Sequence, residues 1–308
     1  MKKLRVAVIG VGYLGRFHAQ KYASMDNVDL LGVVDTDMAR ASEVALEVGT
    51  KPFDSLEPLK GLIEAASIAV PTSKHAEVAI PLLEAGVALL LEKPVAGRLE
   101  EATAIIEAAS KGRALLQIGH LERFNPALLE LAGSIKNPMF IEAHRISPFR
   151  ARGTDVDAVL DIMIHDLDII LSLVPSNVTS LEAVGVPVLT DSVDIANARL
   201  RFESGCIANI TASRVSAEVM RKIRIFQPDS YISLDFAKAK VDVYTLSESR
   251  QIQHKHIAIS ESDALASEIR SFVNAVLTGS PVVVDGSAGL KALEMAYAIK
   301  NALIIPGR

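Results

Sequence analysis

Residues 4–15 carry the stretch that decides the fold, Leu4-Arg-Val-Ala-Val-Ile-Gly10-Val-Gly12-Tyr-Leu-Gly15. Its first part is a run of aliphatic and β-branched residues, which predicts a buried strand ending at Gly10. A helix is predicted behind the glycines. In such a turn the first glycine permits the tight bend, the second the approach of a pyrophosphate, and the third close packing of helix on strand. The stretch therefore predicts a dinucleotide-binding unit. Its cofactor-binding residues are Gly10, Gly12, Tyr13, Leu14 and Gly15.

A second strand is predicted over residues 28–35, and it ends in Asp35, 20 residues after Gly15. An acid at this place accepts a hydrogen bond from the ribose 2′-hydroxyl of NAD and repels the 2′-phosphate of NADP. The pattern therefore favours NAD, although Thr36 and Arg40 leave room for NADP. Asp35 could instead be the N-cap of the next helix, because aspartate is a favoured capping residue.

The order of predicted elements divides the chain into two domains. Strands alternate with helices up to residue 120, which predicts an α/β domain with a parallel, doubly wound Rossmann sheet. Beyond it, strand-like stretches follow one another without long helices between them, which predicts an α+β domain with an open, mostly antiparallel sheet. We predict an NAD(P)-binding domain over residues 1–120 and a substrate-binding and oligomerisation domain over residues 121–308. Helices are predicted in the second domain over residues 127–135, 155–171, 262–277 and 287–304.

The composition argues against several classes of protein. With 308 residues, half of them hydrophobic, the chain can form two domains with sizeable cores. Its net charge of -5 and the absence of a basic block argue against a nucleic-acid partner. No apolar run approaches the ~18 residues that span a bilayer, and the N-terminal run is too short for a signal peptide. Cys206 is the only cysteine, which excludes an internal disulfide. We expect a cytoplasmic protein.

A second informative stretch covers residues 155–171 and is apolar apart from several acids and one histidine. Asp157, Asp161 and His165 are spaced four apart, which predicts that they share one helix face. Asp168 follows three residues later and could pair with an arginine. Charged groups on a buried helix are costly unless they are paired or used in chemistry. The stripe is therefore our candidate for proton transfer, while a metal site or a set of buried ion pairs would also explain it.

Glu92, Lys93 and Pro94 follow the predicted strand 87–91. They lie at the carboxyl end of that strand, where parallel sheets bind their ligands. Pro94 biases Lys93 toward an extended conformation. A lysine at this place can hold a substrate hydroxyl or carry its proton. If this motif is considered alone, Lys93 is better explained as a surface lysine that pairs with Glu92.

Four motifs follow one another along the chain. They are the Gly10–Gly15 loop, Val70-Pro71-Thr72 with His75, Glu92-Lys93-Pro94, and Asp161-x-x-x-His165-x-x-Asp168. Together they resemble the Gfo/Idh/MocA oxidoreductase family, and the segment around Arg123 resembles the interdomain segment of that family. The resemblance covers almost the whole chain. It implies nicotinamide-dependent oxidation or reduction of a sugar or polyol, by a homodimer or homotetramer that associates through the open sheet.

The resemblance also implies roles for single residues. Lys93, Asp161 and His165 match the catalytic positions of the family. Cofactor contacts are implied for Pro71, Thr72, His75, Glu92 and Lys93. His165 would take the proton of a secondary alcohol, and Asp161 would stabilise the imidazolium that forms. Hydride transfer to NAD needs no metal, and we predict none.

The chain departs from the family around its catalytic helix. Many members have a glycine-rich stretch and a small residue where this chain has Asp155-Val-Asp157 and Met163. We therefore expect a pocket of different shape and charge. Upstream, Arg145, Arg150 and Arg152 could hold a carboxylate or a diphosphate, or they could face solvent.

These departures leave the substrate open, and a further similarity of residues 144–152 and 163–168 carries the substrate prediction. The segment is similar to a branch of the family that acts on nucleotide sugars. The substrate-binding residues that we predict are Arg123, Arg150, Arg152 and Asp157. The predicted activity is oxidation of a secondary hydroxyl of a sugar or nucleotide sugar, and the alternative is an inactive NAD-binding regulatory protein with the same fold.

Overall fold

The computed structural model describes residues 3–131, 133–149, 156–247, 249–259 and 263–306. The chain forms two compact units. The first unit contains Met1–Leu121 and Asp263–Leu290, and the second contains Glu122–Ser262 and Lys291–Arg308. This division differs from the two continuous ranges predicted from the sequence, because the segment 263–290 belongs to the first unit.

The first unit is built on a parallel sheet with the strand order β3-β2-β1-β4-β5-β6. Its strands are β1 (Leu4–Ile9), β2 (Val28–Val34), β3 (Pro52–Phe53), β4 (Ala65–Ile68), β5 (Ala88–Glu92) and β6 (Leu116–Gly119). Neighbouring strands pair in parallel throughout. The chain order reverses between β1 and β4, and doubly wound sheets bind ligands at this switch point, outside the carboxyl ends of the strands. The predicted Rossmann fold is confirmed.

Helices complete the first unit. One of them lies in the segment 263–290, which belongs to this unit although it is distant from the rest of the unit in sequence. The helices are α1 (Tyr13–Ala23), α2 (Met38–Val48), α3 (His75–Glu84), α4 (Leu99–Gly112) and α7 (Ala264–Thr278). Ile269, Phe272 and Val273 lie on one face of α7 and are fully buried in the same cluster as Val6 and Val8 of β1. Each such side chain stabilises the unit by about 1.5–3 kcal/mol when buried.

The second unit is built on a mixed sheet with the order β14-β13-β12-β11-β7-β10-β9-β8-β15. Its strands are β7 (Phe140–Ile146), β8 (Val178–Val186), β9 (Ile195–Phe202), β10 (Ile207–Ser213), β11 (Met220–Gln227), β12 (Ser230–Asp235), β13 (Lys240–Leu246), β14 (Ile252–Ala258) and β15 (Leu303–Ile304). The β7–β10 and β8–β15 pairs are parallel, and the other pairs are antiparallel. Along β7, buried and half-buried residues alternate, so the sheet presents one face to the core. The predicted, mostly antiparallel sheet is confirmed.

The remaining helices differ from the prediction at their ends. They are α5 (Pro126–Leu129), α6 (Ile164–Leu173) and α8 (Gly286–Asn301). The helix predicted over residues 127–135 is shorter, because the chain turns away before Gly133, whose φ of +84° is not helical. The helix predicted over residues 287–304 ends earlier, and its last residues form β15. Among the described residues, no helix is both long and apolar enough to span a bilayer.

Candidate active site

The glycine loop joins β1 to α1 in a conformation that requires glycine at two positions. Gly10 has a φ of +81°, and a Cβ atom there would lie 2.8 Å from the backbone of Ala69 and Val70. A Cβ atom on Gly15 would lie 1.8 Å from the carbonyl oxygen of Gly10. Packing within the unit therefore accounts for these two glycines.

Gly12 is different, because a Cβ atom there would meet nothing within 4 Å. It is the N-cap residue of α1, so open space faces a helix N-terminus whose N–H groups attract phosphate. This cradle fits the pyrophosphate of a dinucleotide. A cavity of about 700 Å³ adjoins it and is lined by Val11, Gly12, Tyr13, Arg16, Phe17, Arg40, Glu43 and Val44. The predicted contacts Tyr13 and Leu14 are both exposed at the helix start.

Asp35 ties the end of β2 to the glycine loop. Its Oδ2 accepts a hydrogen bond from the backbone N–H of Val11 at 3.0 Å, and its Oδ1 accepts one from the N–H of Asp37 at 2.9 Å. The N-cap of α2 is Asp37, which accepts from the N–H groups of Ala39 and Arg40, so the capping alternative for Asp35 is wrong. Each Asp35 oxygen retains a lone pair for a ribose hydroxyl.

Lys93 directly follows β5 at the carboxyl edge of the sheet, where Glu92 and Lys93 are partly exposed. The nearby Pro71 is exposed and Thr72 is partly exposed. His75, by contrast, is buried, with Nδ1 at 3.0 Å from the carbonyl oxygen of Pro94 and Nε2 at 3.1 Å from that of Val70. Burial lowers the pKa of His75. His75 thus joins two loops, because both ring nitrogens face main-chain carbonyls, and its predicted contact with cofactor stays a prediction.

His18 is not among the predicted site residues, although its place behind the glycine loop is compatible with either cofactor contact or packing, and it is fully buried on α1. Its Nε2 lies 3.0 Å from Oε1 of Glu92, and its Nδ1 lies 3.0 Å from Oγ of Ser67. Glu92 is therefore anchored from below the sheet edge rather than held only by surface contacts. The one available signal was a histidine three residues after Gly15, on the helix face that packs against the sheet.

The Asp/His stretch begins with a π-helical turn, Val159–Met163, before it continues as α6. The N–H of Ile164 donates to the carbonyl of Val159, five residues earlier. A π turn widens the helix by one residue and is frequent at functional sites. The predicted α-helix over this stretch is therefore interrupted by a π turn at Val159–Met163.

Asp157 lies before this turn and is buried. Its Oδ1 accepts hydrogen bonds from the N–H groups of Val159 at 3.1 Å and Leu160 at 3.0 Å, and its Oδ2 lies 2.8 Å from Nζ of Lys300. Both oxygens are engaged by the protein, which favours a structural role over the predicted contact with substrate. Within the described part of the chain, no three His, Cys, Asp or Glu side chains are grouped so that they could hold a metal ion.

The acids and the histidine of this stretch fall into an accessible pair and a buried pair. Asp161 and His165 are partly exposed, whereas Asp166 and Asp168 are buried. Asp161 and His165 are thus the members that a substrate can reach. They belong to the second unit, and Lys93 belongs to the first.

Arginines neutralise the buried pair. Arg145 donates to both oxygens of Asp166 at 2.8–3.2 Å and to Glu122 at 2.7 Å. Arg123 donates to Asp168 at 3.4 Å, which confirms the expected arginine partner. Burial raises the pKa of Asp168 to about 7, although Arg123 lowers it. Arg123 and Arg145 both take part in ion pairs within the second unit, and the predicted contact of Arg123 with substrate stays a prediction. Arg150, Arg152 and Asp155 lie outside the described residues.

Comparison with known proteins agrees with this geometry. Residues 4–120 match the model of an oxidoreductase family with an NAD-binding Rossmann fold, and residues 131–227 match the C-terminal domain of the same Gfo/Idh/MocA group. The chain belongs to the Gfo/Idh/MocA oxidoreductase family. It is therefore an oxidoreductase by family, and its glycine loop is an NAD site.

Two relatives within the Gfo/Idh/MocA family differ in how similar they are to this chain. The UDP-N-acetylglucosamine 3-dehydrogenase of Acidithiobacillus ferrooxidans is 41% identical over 98% of both chains, and its crystal structures include one with a TM-score of 0.93 to this chain. The scyllo-inositol 2-dehydrogenase (NAD(+)) of Bacillus subtilis is 27% identical over 97% of this chain and 94% of its own length. Both relatives thus match the chain across the two units.

Proposed function

We propose that this protein is an NAD-dependent dehydrogenase that oxidises a secondary hydroxyl of a nucleotide sugar, with UDP-N-acetylglucosamine, oxidised at its 3-hydroxyl, as the leading substrate. The observation that carries this proposal is the 41% identity, over 98% of both chains, with a relative named for that reaction. The open cradle at Gly12 and the carboxylate of Asp35 supply the cofactor site that the reaction needs.

Oxidation of a secondary alcohol removes a proton from oxygen and a hydride from carbon. NAD, when bound, supplies the hydride acceptor. In our proposal His165 takes the hydroxyl proton, because imidazole titrates near neutral pH. Asp161, one turn earlier, stabilises the imidazolium. Lys93 holds the substrate oxygen and stabilises the negative charge that develops on it.

Recognition of the nucleotide part requires a partner for a diphosphate. Guanidinium groups bind phosphate oxygens in pairs of parallel hydrogen bonds, which makes arginine suited to this task. Arg123 and Asp157 are engaged in ion pairs within the second unit. We therefore assign diphosphate recognition to Arg150 and Arg152, and we expect their removal to raise KM for the UDP-sugar more than for a sugar without the nucleotide.

The proposal includes a homodimer or homotetramer that associates through the open face of the second sheet. Side chains of β7 and β11–β14 form a stacked aromatic row there, with ring centroids 4.4–5.7 Å apart. The row consists of Phe140, Phe226, Tyr231, Tyr244 and His254. Half-buried aromatic rows are suited to contacts between subunits. Light scattering during size-exclusion chromatography measures the mass of the assembly and thereby tests the proposed oligomeric state.

The test of function incubates the protein with NAD and a set of candidate substrates. UDP-N-acetylglucosamine is compared with UDP-glucose, free N-acetylglucosamine and inositol, and formation of NADH is followed by absorbance. We expect the fastest turnover with UDP-N-acetylglucosamine and a product lacking two hydrogen atoms by mass spectrometry. NAD binding without turnover of any sugar would instead favour the inactive regulatory protein.

Variants test the assigned roles. Loss of a general base slows catalysis by about 100- to 10,000-fold, and we expect this for His165→Ala while NAD affinity is retained. Lys93→Met should lower kcat in the same way. His256→Ala, which removes an exposed histidine of β14, serves as the control and should leave kcat unchanged. Full activity of His165→Ala would contradict the mechanism.

A further inference from the structure

Below the carboxyl edge of the first sheet, four side chains form a hydrogen-bonded chain. Tyr22 Oη lies 2.8 Å from Ser67 Oγ, which lies 3.0 Å from His18 Nδ1. His18 Nε2 lies 3.0 Å from Glu92 Oε1. Tyr22, Ser67 and His18 are fully buried, and the side chain of Glu92 is 13% exposed. The chain therefore runs from the core of the unit to the end of β5.

The chemistry of the four groups fixes the direction of the protons. An ionised Glu92 can only accept, so His18 Nε2 donates to it. A neutral imidazole then accepts at Nδ1 from the hydroxyl of Ser67, and Ser67 in turn accepts from Tyr22. Burial raises the pKa of Tyr22, so the phenol keeps its proton at neutral pH. Every link is satisfied when Glu92 is an anion.

The same order of serine, histidine and carboxylate occurs in nucleophilic triads. Here Ser67 is fully buried in β4, and its hydroxyl is bonded on both sides. No substrate can reach it. The hydrogen bonds of these four side chains therefore serve to position Glu92. Among the four, Glu92 alone approaches the surface in the described structure.

Glu268 of α7 is the second acid of this cluster. It is fully buried, and among the described residues neither of its carboxyl oxygens has a hydrogen-bond partner. Burial, and after it the neighbouring charge of Glu92, raise the pKa of Glu268, which favours its protonated form. The charge of Glu268 also acts on Tyr22, and Gln117 donates a hydrogen bond to the main-chain carbonyl of Glu268 at 3.5 Å. The negative charge of the cluster therefore resides on Glu92, which has His18 as its donor.

The strand order locates this charge relative to the cofactor. Asp35 at the end of β2 marks the adenosine ribose, and the loop after β1 marks the pyrophosphate. On the other side of β1 lie β4 and then β5. The nicotinamide end of the cofactor therefore extends toward β5, whose last residue is Glu92.

We propose that His18 is a positioning residue of the cofactor site, which holds the Glu92 carboxylate in place at the end of β5 so that its charge favours NAD⁺ over NADH. The nicotinamide ring is positively charged when oxidised and neutral when reduced, so a fixed anion attracts only the oxidised form. The inference rests on NAD binding and does not depend on which sugar is oxidised.

The test measures Kd for NAD⁺ and for NADH separately, by calorimetry on the full chain without substrate. Glu92→Gln keeps the shape of the side chain and the acceptor for His18, and it removes the charge. We expect Kd for NAD⁺ to rise about three- to tenfold relative to Kd for NADH, as one screened charge at close range predicts. An unchanged ratio of the two constants overturns the proposal.

Two variants of His18 separate positioning from packing. The amide of asparagine is too short to reach Glu92, whereas that of glutamine can replace the Nε2 donor. We expect His18→Asn to shift the ratio in the direction of Glu92→Gln, and His18→Gln to restore it. Combining His18→Asn with Glu92→Gln should add nothing, because both act on one charge. If His18→Asn does not fold, the ratio of Kd for NAD⁺ to Kd for NADH in Glu92→Gln and in His18→Gln still tests the proposal.

A matched variant controls for loss of stability. Thr50 donates a hydrogen bond to the carbonyl of Leu30 elsewhere in the first unit. Thr50→Val should lower the melting temperature and leave the ratio of NAD⁺ to NADH affinity unchanged. A shift of the ratio in Thr50→Val as large as in Glu92→Gln overturns the assignment of the effect to charge.

Discussion

Asp166 in the second unit and Glu268 in the first are both buried acids, and their surroundings differ. Asp166 receives bidentate hydrogen bonds from Arg145, which also donates to Glu122. Asp194, a further buried acid of the second unit, accepts from Arg214 at 2.8 Å. Glu268 has no such partner among the described residues, and its nearest charged neighbour is another acid, Glu92.

The difference shows two ways of tolerating a carboxyl group in a core. In the second unit, burial raises the pKa of Asp166 more than the guanidinium of Arg145 lowers it, but Arg145 places an opposite charge against the carboxyl group. In the first unit, burial and the charge of Glu92 raise the pKa of Glu268, which favours a neutral Glu268 beside the more exposed Glu92. The two cores should therefore respond differently to mutation and to pH.

The largest expected effect is the loss of a buried counter-charge. Arg145→Met leaves Asp166 and Glu122 without their shared partner, and breaking a buried pair from one side costs about 3–5 kcal/mol. The free energy of unfolding is measured by urea titration with circular dichroism, because the chain has no tryptophan.

A second arginine of the same sheet provides the control for this prediction. Arg224 pairs with Glu142 at 2.6 Å, and both side chains are partly exposed, at 37% and 24%. Exposed pairs contribute about 0–1 kcal/mol, so Arg224→Met should change the free energy of unfolding little. Equal losses in the two variants would contradict the view that burial makes Arg145 important.

The next effect concerns pH in the first unit. The folded-state pKa of Glu268 lies above its unfolded value of roughly 4.3, so the folded protein binds this proton more tightly. The stability that this provides is fully present below the unfolded pKa and is lost as the pH rises toward the folded pKa. Glu268→Gln has no proton to lose. The variant should gain stability relative to the natural chain as pH rises, by up to about 1.4 kcal/mol per pH unit in that window.

Urea titrations at several pH values measure this difference. If the natural chain and Glu268→Gln keep a constant difference in unfolding free energy across the window, Glu268 does not hold a proton in the folded state, and the contrast between the two units fails.

The smallest expected effect is the contribution of an exposed acid to the free energy of unfolding. Asp37 is exposed and accepts hydrogen bonds from the N–H groups of Ala39 at 3.1 Å and Arg40 at 3.2 Å. Asp37→Ala should cost about 1 kcal/mol through loss of the cap. Asp37→Asn keeps an acceptor and should cost less. Equal losses in both variants would show that the charge, rather than the cap, stabilises α2.

The cofactor loop was predictable because its geometry is local. The strand, the turn and the helix are contiguous, and glycine is required by the positive φ of Gly10 and by the contact of Gly15 with the carbonyl of Gly10. Asp35 was predictable for the same reason, since one βαβ unit brings it to the loop. The doubly wound and antiparallel sheets followed from the alternation of elements along the chain.

The catalytic helix was predicted only in part. Spacing alone placed Asp157, Asp161 and His165 on one face, and the π turn at Val159–Met163 changed that register. Spacing could not tell that Asp157 would cap the turn or that Asp166 would be buried beside Arg145. The first outcome depends on a π turn that residue spacing does not indicate, and the second on a partner 21 residues away in sequence.

The sequence by itself determined the type of each unit, the NAD loop and the order of the motifs, because these depend on periodicity and on short-range sterics. Only the tertiary structure decided which polar groups are buried and what compensates them. His18 meets Glu92 across 74 residues, and α7 returns to the first core from beyond the second sheet. Such contacts depend on the packing of apolar faces that are distant in sequence, and no local sequence pattern predicts them.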